Sequence, residues 1–228
     1  HSVNLNRSHL VILGDAGSGK STLLRTIVTS LAATYSPRDV HVYILDLGGR
    51  ALRSLQELPH VGAVIYADEE VFEERLQRLI ELLTQVTEER QRRLSEDGLN
   101  NLAAFNAHYP DQALPAIIVI IDNFAELQEN HEPLVETALM PLIRRSLNAG
   151  ITFVVSCNVP GNMSSKLYGL FTERLTFQQS NTDRYIDIVG RGAVGIDDIP
   201  GRGYVRDGQR PLLFQSALPV GRFERESG

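Results

Sequence analysis

Short runs of apolar residues alternate along the chain with longer segments in which apolar residues recur every three or four positions. The short runs predict buried strands at 9–13, 40–45, 61–66, 116–121 and 151–155. The periodic segments predict amphipathic helices at about 19–33, 69–94, 102–108 and 133–147. Strands that are apolar on both faces and separated by helices indicate a mostly parallel sheet with helices on both faces. The pattern therefore predicts an α/β fold.

The regular alternation weakens after Pro160. We expect three edge strands in this part of the chain, at 174–178, 203–206 and 212–216. The polar stretch 221–228 is expected to be a frayed tail. The length of 228 residues fits one large domain, which we assign to 1–228. The abrupt polar start suggests that this domain is a fragment of a longer, multi-domain chain.

Composition excludes several classes of protein. Cys157 is the only cysteine, so an internal disulfide and a multi-cysteine zinc site are excluded, and a reducing intracellular setting is the default expectation. The longest apolar run is far shorter than the roughly 18 residues of a membrane helix. With 22 basic and 28 acidic residues, the net charge of −6 gives no electrostatic argument for binding nucleic acid.

A phosphate-binding motif follows the first predicted strand. The segment 14–21 matches G-x-x-x-x-G-K-[ST] in full and opens a predicted helix. Its backbone N–H groups are expected to face phosphate oxygens, Lys20 to neutralise them, and the Ser21 hydroxyl to ligate Mg²⁺. The predicted nucleotide-binding residues are Gly14, Asp15, Ala16, Gly17, Ser18, Gly19, Lys20, Ser21 and Thr22. A structural glycine turn is the alternative.

Such a motif needs an acid on a neighbouring strand to hold Mg²⁺. Asp122 directly follows an apolar strand and is the preferred candidate, together with Ser21. Asp46 also follows a strand, but the glycines at 48 and 49 favour a role for it in a turn. A strand-end aspartate that only caps a turn is the alternative for Asp122.

The residues expected at the hydrolysis site are incomplete. A glutamate after the Mg²⁺-side acid would act as a base, but Asn123 stands there, and an amide cannot accept the proton of the attacking water. Glu126, one helical turn further, could serve only if the backbone brings it to the γ-phosphate. Asn158, at the end of the fifth strand, is a candidate γ-phosphate sensor or simply the first residue of a loop. Cys157 is expected to be a core residue.

Taken together, these segments resemble one family, and the resemblance covers about 6–213. The segments that carry it are the phosphate motif, I-L-D-L-G-G-R-A-L at 44–52, L-P-H-V-G at 58–62, E-E-R at 88–90, L-A-A-F-N at 102–106, I-D-N-F-A-E-L at 121–127 and P-G-R-G at 200–203. The chain resembles the FtsK/SpoIIIE family of RecA-like P-loop motor ATPases. It looks most similar to the EccC/EssC domains that form the tandem motor of type VII secretion.

The resemblance implies ATP and Mg²⁺ as cofactors, with Lys20 and Ser21 at the nucleotide, Asp122 as the Mg²⁺-side acid and Asn158 as the sensor. It makes Arg174 a candidate for acting across a subunit interface, with a plain surface arginine as the alternative. Two positions depart from the family pattern. Asn123 replaces the catalytic glutamate, and Val159 replaces the arginine of the sensor segment. Weak or regulated ATP hydrolysis is therefore expected.

The same resemblance implies partners and a location. The partners are other ATPase domains of the same chain or ring, and small helical secreted proteins; DNA is disfavoured. The implied location is a cytoplasmic domain of a membrane-anchored protein. A nucleotide-bound recognition module without turnover and an FtsK-type DNA translocase domain are the alternatives.

One apolar stripe could either dock an export signal or belong to the core. It is formed by Met163, Leu167, Leu170 and Phe171, which are spaced like one face of a helix. The core interpretation is the preferred one.

Overall fold

The computed structural model describes residues 8–196, 199–208 and 210–219. Eight strands form one sheet. In chain order they are β1 Leu10–Leu13, β2 Val40–Asp46, β3 Val61–Tyr66, β4 Ala116–Asp122, β5 Ile151–Cys157, β6 Glu173–Thr176, β7 Arg202–Asp207 and β8 Arg210–Gln215. Their spatial order is β3-β2-β4-β5-β1-β6-β7-β8. The first six strands are parallel, whereas β7 and β8 add an antiparallel hairpin beside β6.

Helices connect these strands. They are α1 Lys20–Thr34, α2 Phe72–Glu96, α3 Leu102–His108, α4 Phe124–Asn130, α5 Glu132–Leu134, α6 Met140–Ser146, α7 Ser165–Tyr168 and α8 Asp183–Val189. A π-helical segment, Val135–Leu139, joins α5 to α6. The sequence predicted one helix over 133–147, and the structure forms it with this π-helical turn inside. None of the helices in the described ranges is both long and apolar enough to cross a bilayer.

Two apolar clusters cover the two faces of the sheet. Leu24 and Val28 of α1 pack on one face, with Ile12 of β1 and Ile120 of β4. The other face is covered by α2, α4, α6 and α8. Because β1 and β5 are buried throughout and β4 nearly so, their residues are apolar without alternation, which made these strands recognisable in the sequence. The predicted α/β, RecA-like P-loop fold is confirmed.

The region after Pro160 differs from the prediction. β6 was expected to be an edge strand, but it lies between β1 and β7 and pairs with both. β7 is also internal, so in the described part of the sheet the edges are β3 and β8. The β7–β8 hairpin causes the difference, because it adds two strands outside β6. The helices α4 and α8 were not predicted. The predicted tail 221–228 lies outside the described residues.

The apolar stripe after Pro160 belongs to the core. Met163, Leu167 and Phe171 are buried in the apolar cluster that also contains residues of α2 and α8, and Leu170 packs partly against it. Only 165–168 of this stretch is helical. The stripe is therefore not available to dock an export signal, and the preferred core interpretation is correct.

Arg90 fixes the long helix α2 to the sheet. Its guanidinium donates to the carbonyl oxygens of Ala149 at 2.8 Å and Pro115 at 2.9 Å, just ahead of β5 and β4. Burial lowers the pKa of Arg90 to about 10, and nearby Glu89 opposes that shift. The E-E-R segment noted in the sequence thus ties α2 to the starts of the two strands whose far ends carry Asp122 and Asn158.

Candidate nucleotide site

The loop between β1 and α1 has the backbone shape of a phosphate cradle. Gly14, Gly17 and Gly19 all have positive φ angles, of 151°, 79° and 108°. A Cβ atom on Gly14 would lie 2.6 Å from the Ser18 hydroxyl oxygen, so only glycine fits there. The Gly14 N–H donates to the Asn158 carbonyl at 3.2 Å, and the Asp15 N–H donates to the Gln178 carbonyl at 2.9 Å. The loop is therefore tied to the ends of β5 and β6, on either side of β1.

Lys20 is held by three oxygen atoms around this loop. Its Nζ donates to the carbonyl oxygens of Gly14 at 2.7 Å and Asp15 at 2.9 Å, and to Oδ1 of Asn158 at 3.0 Å. Burial lowers the pKa of Lys20, while the charge of Asp122 opposes the shift. The structure thus brings together two of the residues predicted for the site, Lys20 and Asn158.

Ser21 and Asp122 are also in contact. The Ser21 hydroxyl donates to Asp122 Oδ2 at 2.7 Å, and the buried Ser156 hydroxyl donates to Asp122 Oδ1. Ser156 in turn accepts the Asn123 backbone N–H at 3.0 Å. Asp122, Ser156 and α1 lie on the same side of the sheet, because Ile120 and Val154, two residues before them, pack with Leu24. The carboxylate is therefore fixed from two strands and one helix.

This donor set fits Mg²⁺. A serine hydroxyl oxygen and a carboxylate oxygen are hard ligands, and Mg²⁺ is usually held by one or two protein groups together with waters and substrate phosphates. Among the described residues there is no group of three or more histidine, cysteine or acidic side chains that could hold a metal by themselves. Ser21 and Asp122 are the residues that would bind Mg²⁺, which neutralises phosphate charge when bound.

Asp46 stands beside Asp122 but serves the turn that follows it. The two residues are register partners at the ends of β2 and β4. Asp46 Oδ2 accepts the Leu52 N–H at 2.7 Å, which closes the turn containing the two glycines. Burial raises the pKa of Asp46, and the charge of Asp122 adds to that rise. A Cβ on Gly48 would lie 3.2 Å from Asp122 Oδ2, so this turn packs directly against the Mg²⁺-side acid.

Asn123 and Glu126 do not point their side chains at Lys20 or Ser21. Asn123 has a left-handed backbone with φ of 60°, and its amide Nδ2 lies 3.4 Å from the Leu47 carbonyl oxygen. The Glu126 carboxylate accepts from Asn130 on its own helix at 2.7 Å. Glu126 also lines a small cavity of about 160 Å³ beside Leu47, the residue that follows the carboxyl end of β2. No residue of the phosphate loop lines that cavity.

Arg174 lies on the opposite face of the sheet from α1. Its Nε donates to the Phe171 carbonyl at 3.1 Å, and its guanidinium stacks 4.2 Å above the Tyr168 ring. Its neighbour in β6, Leu175, packs with the α1 side instead. Arg174 is thus separated from the phosphate loop of its own domain by the sheet. A role across a subunit interface stays a prediction.

Thr22 and Cys157, two further residues considered in the sequence, make only contacts within the fold in this structure. The Thr22 hydroxyl, in the first turn of α1, accepts from Arg25 at 3.3 Å. Cys157 is fully buried, and burial raises the pKa of its thiol to about 12. Cys157 is therefore a core residue, as the sequence predicted.

Ser156 and Gln179 support the site and were missed in the sequence. The buried Gln179 amide donates to the Asn158 carbonyl at 3.1 Å and to the Thr176 hydroxyl at 3.2 Å, and it thereby joins the end of β5 to β6. Ser156 lies near the end of β5, and Gln179 comes three residues after the end of β6. Nothing in a single sequence distinguishes them from ordinary strand-end residues.

Residues 1–161 match the FtsK/SpoIIIE family. A curated relative, the ESX secretion system protein EccC of Thermomonospora curvata, is 32% identical over 218 residues, which are 92% of this chain and 16% of that protein. The chain thus spans about one sixth of the length of that relative.

Two solved structures are similar over nearly the whole chain. EssC (ATPases 2 and 3) of Geobacillus thermodenitrificans superposes with a TM-score of 0.85 at 29% identity, over 94% of this chain and 40% of that one. Thermomonospora curvata EccC (ATPases 2 and 3), in complex with a signal sequence peptide, gives a TM-score of 0.78 at 29% identity, over 92% of this chain and 38% of that one. The family match extends over most of the chain, and the two solved structures share its fold over more than nine tenths of its length. The chain belongs to the FtsK/SpoIIIE family.

Proposed function

We propose that this chain is an ATP-binding, motor-type domain of a type VII protein secretion ATPase. The observation that carries the proposal is the pair of contacts around a complete phosphate loop, Lys20 with Asn158 and Ser21 with Asp122. The similarity to EccC and EssC supports the secretion setting. The region 1–228 is proposed to act as one domain of a longer protein that is anchored in a membrane, with this domain in the cytoplasm.

The proposed roles follow from the contacts. Backbone N–H groups of the loop and the N-terminal end of α1 bind the phosphates. Lys20 neutralises phosphate oxygens, and Ser21 and Asp122 hold Mg²⁺. Asn158 touches Lys20 at the end of β5, between the strands of the loop and of Asp122, which is where a group that senses the terminal phosphate is needed.

ATP binding is tested by isothermal titration with Mg·ATP. Lys20→Ala removes a charged donor from the phosphates and is expected to weaken binding by roughly tenfold or more, since such a contact contributes about 1.5–3 kcal/mol. Lys166, the other lysine of the chain, is exposed on α7 and provides the matched control. Lys166→Ala should bind ATP like the wild type. Equal affinities in both variants would remove the basis of the proposal.

We further propose that ATP hydrolysis is weak or depends on a partner. Asn123 has no carboxylate to accept a proton, and Glu126 is bonded to Asn130. A general base contributes typically about 10²–10⁴-fold to a rate. Asn123→Glu is therefore expected to raise the steady-state rate of phosphate release, although the left-handed backbone at 123 makes a glutamate costly there by roughly 1–2 kcal/mol. A brisk wild-type rate that Glu126→Gln abolishes would identify Glu126 as the base instead.

A nucleotide-bound recognition module is the second candidate. Asn123 favours it, and the similar EccC structure was solved with a signal sequence peptide. In this role the domain binds a small helical secreted protein and other ATPase domains of its own chain or ring, and ATP serves its structure. Measuring ATP turnover with and without a helical signal peptide separates the two. A peptide-stimulated rate supports the motor, whereas peptide binding without turnover supports recognition. Stimulation by DNA would instead support a DNA translocase.

A further inference from the structure

One buried oxygen atom close to the phosphate loop lacks a hydrogen-bond partner among the described residues. It is Oε1 of Gln179, a side chain that is only 5% exposed and follows β6. Most buried polar groups in proteins are hydrogen-bonded, because a buried acceptor without a donor is destabilising. A donor that reaches this oxygen in another state of the site would therefore stabilise that state.

The other contacts of Gln179 fix the direction of its side-chain amide. Nε2 donates to the Asn158 carbonyl at 3.1 Å and to the Thr176 hydroxyl at 3.2 Å. The carbonyl can only accept, and the hydroxyl gives its own hydrogen to the Phe177 carbonyl at 2.9 Å. Both hydrogens of the amide are thus used, and its nitrogen and oxygen cannot exchange places. The Gln179 backbone N–H donates to the buried Tyr185 hydroxyl at 2.7 Å, which holds the residue to α8.

Asn158 offers the donor that this oxygen lacks. Its Oδ1 accepts from Lys20 at 3.0 Å, whereas its Nδ2 makes no hydrogen bond to any residue in the described ranges. The Asn158 side chain is exposed, so it is free to change its rotamer. Oε1 and Nε2 of Gln179 are bonded to the same carbon atom, and Nε2 touches the Asn158 carbonyl. The unpaired oxygen therefore lies beside Asn158.

A side chain that senses a terminal phosphate has to present an N–H to it, because phosphate oxygens only accept. The Asn158 amide nitrogen carries two hydrogens that point in different directions. When an acceptor of the protein holds one of them, the direction of the other is fixed. A donor that is fixed in advance loses less conformational freedom on binding than a freely rotating one.

We propose that Gln179 is the positioning residue for the Asn158 side chain. The proposal rests on the proposed ATP binding and on the proposed role of Asn158. With Mg·ATP in the loop, Asn158 Nδ2 donates one hydrogen to Gln179 Oε1 and directs the other at the terminal phosphate. Gln179 thus acts through Asn158 and does not touch the nucleotide. Since ADP has no terminal phosphate, it does not favour this arrangement.

The experiment compares the affinities for ATP and ADP by titration calorimetry with Mg²⁺ present. Gln179→Met keeps the length of the side chain and removes its amide. The ratio of ATP affinity to ADP affinity should fall roughly two- to tenfold, the effect of one neutral hydrogen bond. A loss that acts only through the shape of the phosphate loop would weaken both nucleotides equally. Gln91→Met is the matched control, because the Gln91 amide also donates to a main-chain carbonyl, that of Arg145 at 2.8 Å, but joins α2 to α6. It should leave the ratio unchanged.

A second substitution tests whether Gln179 acts through Asn158. Asn158→Ala removes the amide that Gln179 orients and keeps the carbonyl that Nε2 contacts. In this background, Gln179→Met should not lower the ratio further. A further fall of the same size, or an unchanged ratio in Gln179→Met alone, would overturn the positioning role. If the wild type binds neither nucleotide, the proposed function fails as well.

Nuclear magnetic resonance of the wild type gives a readout that does not depend on the folding of Gln179→Met. With isotopically labelled asparagine, the Asn158 side-chain signal is identified by its absence from the spectrum of Asn158→Ala, a change at an exposed side chain. Mg·ATP should protect both Nδ2 hydrogens from exchange with water, one through Gln179 and one through phosphate. Protection of only one hydrogen, or of neither, would overturn the positioning role without affecting the proposed role of Lys20.

Discussion

Replacing Ser156 by alanine removes the hydroxyl that joins two parts of the site. This hydroxyl donates to Asp122 Oδ1 and accepts the Asn123 N–H at 3.0 Å, and the side chain is fully buried. In Ser156→Ala the Asn123 N–H and one oxygen of Asp122 both lose a partner. An unsatisfied buried group costs about 1–3 kcal/mol, and a hydrogen bond to a charged group contributes about 1.5–3 kcal/mol. We expect a loss of about 3 kcal/mol in the free energy of unfolding.

The chain offers a matched control in Ser146, the last residue of α6, which lies near the start of β5. Ser146 is also fully buried, but its hydroxyl makes only long contacts of 3.3 Å to the carbonyl oxygens of Ile143 and Ile151. Ser146→Ala should therefore cost about 1 kcal/mol. For a domain of this size, 1 kcal/mol shifts the melting temperature by roughly 2–4 °C. Thermal denaturation should show a drop of roughly 6–12 °C for Ser156→Ala and roughly 2–4 °C for Ser146→Ala.

A second measurement separates the site from general stability. Asp122 loses one of its two side-chain anchors in Ser156→Ala, so its orientation towards Mg²⁺ is less fixed. The affinity for ATP should fall several-fold in the presence of Mg²⁺ and change little in EDTA, while Ser146→Ala should bind ATP normally in both. Equal drops in melting temperature for the two variants, with unchanged Mg²⁺-dependent binding, would refute the role assigned to Ser156.

Two further predictions concern buried side chains away from the site. Arg90→Met leaves two main-chain carbonyls without their charged donor and should lower the free energy of unfolding in urea by roughly 2–5 kcal/mol. Arg92→Met, on the exposed face of α2, is the control and should cost less than about 1 kcal/mol. Similar losses in the two variants would contradict the role of Arg90 in fixing α2 to the sheet. His9 accepts the Phe153 N–H on Nδ1 and contacts the Ile143 carbonyl through Nε2, and burial lowers the pKa of its imidazole. The stabilisation is therefore complete above about pH 6.5, and below that pH the free energy of unfolding should fall by at most about 1.4 kcal/mol per pH unit. His9→Gln should reduce this slope when urea unfolding is followed from about pH 7.5 to about pH 5.5.

The sequence predicted correctly those parts of the fold that depend on a local pattern of residues. Five continuous apolar runs became β1 to β5, and the phosphate loop lies between β1 and α1 as its motif predicts. Placing Asp122 and Asn158 near the loop also succeeded, because the ends of parallel strands meet at one edge of a sheet. These inferences need only the type of each residue and its position relative to the end of a strand.

The remaining contacts depend on which strands are neighbours, and a single sequence does not give that order. Ser156 meets Asp122 only because β4 and β5 are adjacent. The turn at Gly201 meets Gly19, 182 residues away in the chain (201 − 19 = 182), because the β7–β8 hairpin folds back over α1. The wrong assignment of β6 as an edge strand has the same origin, since the strand that covers it comes later in the chain.

At the proposed ATP site, the three hydrogen bonds of Lys20 mean that phosphate binding would exchange one hydrogen-bond partner for another. An ammonium group has three hydrogens to donate, and Gly14, Asp15 and Asn158 already accept all of them. A phosphate oxygen can therefore gain a hydrogen from Lys20 only when one of these acceptors gives its own up. Two of the acceptors are main-chain carbonyls of the loop itself, so the side-chain amide of Asn158 is the partner most easily released. The free energy that Lys20 contributes to phosphate binding is then the difference between its hydrogen bond to phosphate and its hydrogen bond to Asn158. The Asn158 side-chain amide, once released, can form a hydrogen bond elsewhere. In the proposed ATP site, filling of the loop would thus change the hydrogen bonding of Asn158, at a second position in the chain.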